Sequence, residues 1–294
     1  MTDLAAPGRF LGMTAGEATA QWVYFGVPMD FTASFLPGSR FGPARIREAS
    51  YALETYSPVL ERDLSELAVA DLGDLEFAFG NTSGALDRIS CTAREILGHG
   101  QRFLAVGGEH LITLPLLRSV VQQYPDVVVI HWDAHADLRD TYLGDPYSHA
   151  TVLRRVAEII RPGNLYQFGI RSATREEMEY ARAHSHLYLE SVREPLARVL
   201  PELMGRPLYV TIDLDVIDPG AFPGTGTPEP GGISAAEAFE GLRLLSGRNV
   251  VGMDLVEAMP LQDVSQRTAL LAAKMVRDAL LNIVPRLGGK CDVE

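Results

Sequence analysis

Cysteine is scarce in this chain, with two among 294 residues. Cys91 and Cys291 lie far apart and form no CxxC pair, which argues against a disulfide framework and favours a reducing compartment. Long apolar runs are also missing, because no stretch approaches the roughly 18–20 residues that a membrane span needs. Residues 1–16 lack the basic and then apolar pattern of a secretory signal. We therefore predict a cytoplasmic protein with no membrane partner.

Basic residues are outnumbered, since 26 Lys and Arg face 38 Asp and Glu for a net charge of −12. An acidic surface argues against binding to nucleic acid or anionic membranes. Linkers, repeats and low-complexity segments are not visible. The length suits a single domain over residues 1–294, and we expect residues 1–20 to form an N-terminal arm.

Short apolar runs alternate with amphipathic stretches along the chain. Strands are predicted at 22–27, 67–70, 103–106, 127–132, 165–170, 208–212 and 250–255, with a weaker one near residue 187. Helices are predicted at 43–53, 85–97, 114–124, 152–160, 175–184, 234–245 and 267–284. Strict strand–helix alternation, with strands apolar on both faces, predicts the α/β class and a parallel sheet covered by helices on each side.

Two acidic motifs follow predicted strands. Asp133, His135 and Asp137 occupy alternate positions after 127–132, and Asp213 and Asp215 follow 208–212 in the same way. Alternate residues of an extended segment point to one face, and ligands of parallel sheets bind beyond the carboxyl ends of the strands. So many neighbouring carboxylates would repel one another unless cations held them together. The pattern predicts a metal cluster.

His110 follows the strand at 103–106 and completes a set of six candidate ligands. Six ligands are more than one tetrahedral zinc ion binds, and none of them is a cysteine. Two imidazoles and four carboxylates suit two divalent cations that share carboxylates, with manganese preferred, although zinc, cobalt, iron or nickel could occupy the same ligands. Such a pair generates a bridging hydroxide at neutral pH. The alternative is a structural metal or a buried ion-pair network.

Six motifs, in order along the chain, resemble those of the ureohydrolase family, which comprises arginases and agmatinases. They are GGEH (107–110), DAHAD (133–137), SHAT (148–151), DLDVIDP (213–219), PGTGTPEPGG (223–232) and GMDLVE (252–257). PGSRFGPARIRE (37–48), together with YSHAT (147–151), is similar to the agmatinase branch. The resemblance implies a three-layer α/β/α fold with a central, mainly parallel eight-stranded sheet. It also implies two Mn²⁺ per subunit and a homotrimer or homohexamer.

The resemblance also implies a role for each matching residue. One metal would be bound by His110, Asp133, Asp137 and Asp213, and the other by His135, Asp133, Asp213 and Asp215. Asp133 and Asp213 would bridge the two ions. His149 matches the proton-shuttling histidine, with a pKa expected near neutrality, and Glu257 matches the carboxylate that binds the guanidinium.

The substrate depends mainly on Arg139, which stands where arginases carry an Asn that recognises the α-carboxylate and α-amino group. Arginine is therefore disfavoured. Agmatine, hydrolysed to putrescine and urea as in polyamine biosynthesis, is the leading expectation, with Asp140, Asp145 or Glu229 near its ammonium tail. If Arg139 faces the pocket, it favours 4-guanidinobutyrate or a similar guanidino acid; if it pairs with an acidic neighbour, agmatine remains. The sequence also leaves open a non-catalytic metal-binding relative and a two-metal phosphatase.

Overall fold

The computed structural model describes residues 8–78 and 80–287. Ten strands lie in this part of the chain, namely β1 (Trp22–Val27), β2 (Tyr56–Ser57), β3 (Arg62–Asp63), β4 (Val69–Asp74), β5 (Arg102–Gly107), β6 (Val128–Trp132), β7 (Leu165–Ile170), β8 (His186–Leu189), β9 (Leu208–Asp213) and β10 (Val250–Val256). The two-residue strands β2 and β3 pair with each other in an antiparallel hairpin. The other eight form one sheet.

The sheet has the order β4-β1-β5-β10-β9-β6-β7-β8, and all neighbouring strands run parallel. Strands β5 and β6 are consecutive members of this sheet in the chain, yet β10 and β9 lie between them. The carboxyl ends of these four central strands therefore meet at one edge. Ligands of parallel α/β sheets bind at such positions.

Eight helices accompany the strands in the described residues: α1 (Gly42–Ser50), α2 (Thr82–Gly98), α3 (Thr113–Gln123), α4 (Val152–Ile159), α5 (Arg175–His184), α6 (Arg193–Val199), α7 (Ala235–Leu244) and α8 (Arg267–Ile283). Helices α1, α6, α7 and α8 contribute to one buried apolar cluster, and α2, α3, α4 and α5 to another. The sheet separates the two clusters, which makes three layers.

Strand β6 shows why the sheet is buried on both faces. Val128, Ile130 and Trp132 pack into the first cluster, whereas Val129 packs into the second. Successive strand side chains point to opposite faces, so a continuous apolar run is needed where helices cover both. The α/β class and the three-layer, eight-stranded arrangement are confirmed, with the sheet wholly parallel.

Local details differ from the sequence-based expectations. Helix α6 and the β2–β3 hairpin were not predicted, because segments of seven and two residues are too short to show a period. Residues 8–20 of the expected arm are described and residues 1–7 lie outside the described part, as does Cys291. Phe10 is buried and its backbone N–H donates to Asp71 (2.7 Å). In the described residues, no helix combines the length and apolar character needed to cross a membrane.

Candidate metal centre

The six predicted ligands come together at the carboxyl ends of β5, β6 and β9. Two of them lie in short 3₁₀ turns, His110–Ile112 shortly after β5 and Leu214–Val216 directly after β9. Asp213 is the last residue of β9, and Asp133 follows the last residue of β6. Gly108 is required in the turn before His110, because a Cβ there would collide with the backbone of Met29.

His110 faces three carboxylates. Its Nδ1 lies 3.1 Å from Asp133 Oδ2, 3.1 Å from Asp137 Oδ2 and 3.4 Å from Asp213 Oδ2. Asp137 reaches this position from a left-handed backbone conformation with φ 53°, which is uncommon for a non-glycine residue. These four side chains form the first group of candidate ligands.

His135 belongs to a second group that shares Asp133 with the first. His135 Nδ1 lies 2.9 Å from Asp215 Oδ2 and 3.5 Å from Asp133 Oδ1. The two carboxylate oxygens of Asp133 thus face different imidazoles, as expected of a ligand between two cations. Asp213 Oδ1 accepts from the Asp215 backbone N–H (2.9 Å), which places it beside the second group as well.

Buried hydroxyls fix the orientation of His110. Its Nε2 lies 3.0 Å from Thr211 Oγ1, and the Thr211 hydroxyl donates to Asp254 Oδ1 (2.6 Å). A hydroxyl has one proton to give, so Thr211 accepts from His110 Nε2–H. In a neutral His110 the lone pair then lies on Nδ1 and faces the carboxylates, which is the orientation a metal ligand needs.

The charges in this cluster fit bound cations. Burial, and then the neighbouring Asp133, raise the pKa of Asp137 to about 7. Burial, Asp215 and Asp133 raise the pKa of Asp213 well above its ordinary value. Within the described residues, His110 Nδ1 and Asp215 Oδ2 are buried without a well-aligned hydrogen-bond partner. These carboxylates cannot all be ionised without cations nearby, and some of the oxygen and imidazole atoms have no partner of their own. Such a set of donors suits divalent metal ions.

His131 contacts the candidate ligand Asp133, and the sequence did not predict this contact. Its Nε2 lies 2.9 Å from Asp133 Oδ2, and its Nδ1 lies 3.2 Å from Gln167 Nε2. Gln167 Nε2 also donates to the Ala136 carbonyl (2.8 Å), and Gln167 Oε1 accepts from Ser185 Oγ (2.9 Å). Because the amide N–H donates to Nδ1, the proton of His131 lies on Nε2 and is donated to Asp133.

A cavity of about 290 Å³ opens beside the ligands. Glu257 lies in its wall, where Oε1 accepts from the His110 backbone N–H (2.8 Å). Burial, and then the neighbouring Glu109, raise the pKa of Glu257 to about 8. A buried carboxylate is costly without a cationic partner, so this wall suits a cationic ligand.

His149 lines the same cavity from a 3₁₀ turn, His149–Thr151. Its ring contacts the hydroxyls of Thr32 (Nδ1, 3.3 Å) and Ser34 (Nε2, 3.3 Å). Burial, and then His110 and His135, lower the pKa of His149 to about 4. The expectation of a pKa near neutrality was wrong, because the sequence does not show how far the ring is removed from water. His149 is neutral at physiological pH and can accept a proton.

Arg139 also lines the cavity, but it is paired with an acidic neighbour. Its Nε lies 3.6 Å from Glu177 Oε2, and its guanidinium lies 4.7 Å from the ring centre of Tyr142. Glu177 is buried and also accepts from the backbone N–H groups of Leu138 (3.0 Å) and Thr174 (2.8 Å). Sequence reasoning missed Glu177, although Thr-Arg-Glu-Glu at the start of α5 is the signal of a capping box.

The acidic residues expected near a substrate tail lie elsewhere. Asp140 pairs with Arg155 (2.7 Å), and neither Asp140, Asp145 nor Glu229 is among the cavity-lining residues of the described chain. Among the described residues, Glu177 is the carboxylate that lines the cavity in addition to the candidate metal ligands and Glu257. Asp218 accepts from three loop N–H groups, those of Gly220, Gly231 and Gly232, so it caps the glycine-rich loop.

Residues 20–282 match the arginase family. The chain belongs to that family. An agmatinase of Bacillus anthracis is 49% identical over 89% of this chain and 91% of its own length, and an agmatinase of Bacillus subtilis is 48% identical over 96% and 99%. The solved structure of agmatine ureohydrolase from Thermoplasma volcanium is 32% identical over 94% of each chain, with a TM-score of 0.85.

Family membership makes this chain a ureohydrolase and therefore an enzyme. The predicted resemblance to the ureohydrolases, and to agmatinases in particular, is confirmed. The hypotheses of a non-catalytic relative and of a phosphatase fall with it.

Proposed function

We propose that this ureohydrolase hydrolyses agmatine to putrescine and urea. The observation that carries the proposal is the pairing of Arg139 with Glu177, which leaves no unpaired Arg or Lys among the described residues that line the cavity. An ammonium tail is then tolerated, and Glu177 adds a carboxylate on that side. The agmatinases among the relatives support the same substrate.

Glu257 would bind the guanidinium. Its carboxylate is fixed by the His110 N–H through one oxygen, and it can still accept charge-assisted N–H bonds from a planar cation. A guanidinium placed there favours the ionised form of Glu257 and so offsets the burial that raises its pKa. The guanidinium plane would thus be held against the ligand cluster.

Two divalent cations, which we propose to be Mn²⁺, would be held by the two ligand groups around Asp133, and they would supply a water-derived nucleophile at neutral pH. The neutral His149 would accept the proton that this water loses. It would then donate that proton to the nitrogen of the leaving amine as the C–N bond breaks. The second water proton, left on the attacking oxygen, would pass to the same nitrogen as the urea carbonyl forms. Water and the guanidinium are then consumed, urea and an alkylammonium are released, and protons and charge balance.

The remaining expectations stay part of the proposal. Length and composition predict a single domain over residues 1–294 with an arm at 1–20 and a cytoplasmic location, and the resemblance to the family implies a homotrimer or homohexamer. Roles in metal binding for His110, Asp133, His135, Asp137, Asp213 and Asp215 are part of the same proposal, as is substrate contact by Arg139.

The experiment is urea release by the manganese-loaded protein with agmatine, 4-guanidinobutyrate and arginine side by side. Urea from agmatine, with little from the other two, is the expected result. The second candidate is a guanidino acid, because Arg139 lines the cavity and keeps 39% of its side chain exposed. Urea from 4-guanidinobutyrate in preference to agmatine would contradict the proposal and assign Arg139 to the carboxylate.

A further inference from the structure

Glu109 is a buried carboxylate next to His110 that the proposed chemistry does not use. Its Oε1 accepts from the Phe31 backbone N–H (2.9 Å), and its Oε2 accepts from the Thr32 backbone N–H (3.0 Å) and from the Thr32 hydroxyl. The carboxylate therefore fixes both the backbone and the side chain of Thr32 beside the cavity.

The Thr32 hydroxyl also contacts His149 twice. Its Oγ1 accepts from the His149 backbone N–H (3.1 Å), and the same oxygen lies 3.3 Å from His149 Nδ1. A hydroxyl can donate once and accept twice. Because the one proton of Thr32 is given to Glu109, the oxygen is left to accept from both nitrogens of His149. All three hydrogen-bonding positions of the hydroxyl are then used.

This arrangement determines the tautomer of His149. Nδ1 must carry the ring proton to donate to Thr32, so Nε2 keeps its lone pair. Nε2 lies 3.3 Å from the Ser34 hydroxyl, which can donate to it, and both residues line the cavity. The ring of Tyr142 packs edge-on at 5.6 Å between ring centres. The nitrogen able to accept a proton is therefore the one beside Ser34 at the cavity.

We propose that Thr32, held by Glu109, is a positioning residue that keeps His149 in the Nδ1–H tautomer with Nε2 ready to exchange protons with the reacting groups. The catalytic part of this proposal rests on the proposed function. Thr32 touches neither substrate nor metal ligand in this scheme and acts through His149.

Two substitutions of Thr32 distinguish the effect of its hydroxyl group from the effect of its shape. Thr32→Val exchanges the hydroxyl for a methyl group, and Thr32→Ser keeps the hydroxyl. We expect kcat for urea release to fall about 10- to 100-fold in Thr32→Val, which is less than complete loss of general acid–base catalysis at roughly 10²–10⁴-fold, while KM and bound metal stay unchanged. Thr32→Ser should restore most of kcat. Thr92→Val, on α2, is the matched control for the same exchange.

A double-mutant cycle tests whether Thr32 acts through His149. In a His149→Gln background the Thr32→Val exchange should cost no further turnover, because coupled residues are non-additive. An equal loss in both backgrounds would overturn the proposal, and so would loss of bound metal in Thr32→Val.

Imidazole ¹⁵N NMR of the zinc-loaded, diamagnetic protein gives a readout that does not need the substrate. Wild type and Thr32→Ser should show His149 protonated at Nδ1, and Thr32→Val should not. An Nε2–H tautomer in wild type would overturn the proposal. Wild-type protein that shows the Nδ1–H tautomer but releases no urea from agmatine would contradict only the proposed substrate.

Discussion

Substitution of Glu177 by Gln changes the charge of the cavity wall without touching a candidate metal ligand. Glu177 lies 3.6 Å from Arg139 Nε and is buried beneath it. Gln can also occupy this position of the capping box at the start of α5. Helix α5 should therefore remain folded in the variant, although one of the two backbone N–H bonds to this side chain is lost.

The expected change in KM follows from the loss of one unit of charge near the substrate tail. At a separation of about 7 Å this charge contributes about 0.6–2.4 kcal/mol for effective dielectric constants of about 80 to 20. Such energies correspond to roughly 3- to 60-fold in affinity. The KM for agmatine should therefore rise about 10-fold in Glu177→Gln, because Arg139 is no longer neutralised. The KM for 4-guanidinobutyrate should fall, because its carboxylate gains a free guanidinium.

The assay is initial-rate urea release by manganese-loaded protein over a range of each substrate. Glu176→Gln is the matched control, since Glu176 is an exposed neighbour on α5 and does not line the cavity. Opposite shifts of the two KM values identify an electrostatic effect. If both KM values rise together, the wall has been disrupted and the pairing of Arg139 with Glu177 does not set the substrate.

Three further predictions concern the metal centre and its surroundings. Asp213→Ala should lose bound metal and turnover together, because Asp213 lies against both ligand groups; two metals and full activity in the variant would refute its role. Glu257→Gln should keep its metals while kcat/KM for agmatine falls about 10- to 150-fold, from about 1.5–3 kcal/mol for a hydrogen bond to a charged group; loss of metal instead would make Glu257 a ligand. The folded-state pKa of His149, about 4, lies below that of an unfolded histidine. The unfolded state therefore binds more protons between about pH 6.5 and 4, and the free energy of unfolding decreases as the pH is lowered through that window. Metal-free wild type should therefore lose more of its Tm than metal-free His149→Gln on acidification through this window, and equal losses would show that His149 is not buried in its neutral form.

The sequence predicted the sheet and the ligand cluster because both follow from local periods. Apolar runs such as β9 predicted that the strands are buried on both faces, and alternate acidic residues at the ends of β6 and β9 predicted which strand ends carry candidate ligands. Strand order, by contrast, depends on how helices pack. The sequence alone could not place β9 and β10 between β5 and β6.

Contacts between distant segments were also beyond the sequence. Thr32 and Glu109 are 77 residues apart, and Arg139 meets a carboxylate on a later helix. His149 was recognised from its motif, but its low pKa depends on burial by segments that only the fold brings together. Residue identity therefore predicted which groups lie together at the site, and the fold determined their charge and orientation.

The central claim is that the ligand cluster around Asp133 activates water for agmatine hydrolysis. The most direct test is urea release from agmatine by one preparation, assayed metal-free and again after manganese is added, with bound manganese counted in the same sample. Two manganese ions per chain, and urea release that appears only with them, are the predicted result. Equal urea release from the metal-free protein, or two bound ions with no urea from agmatine, would contradict the account.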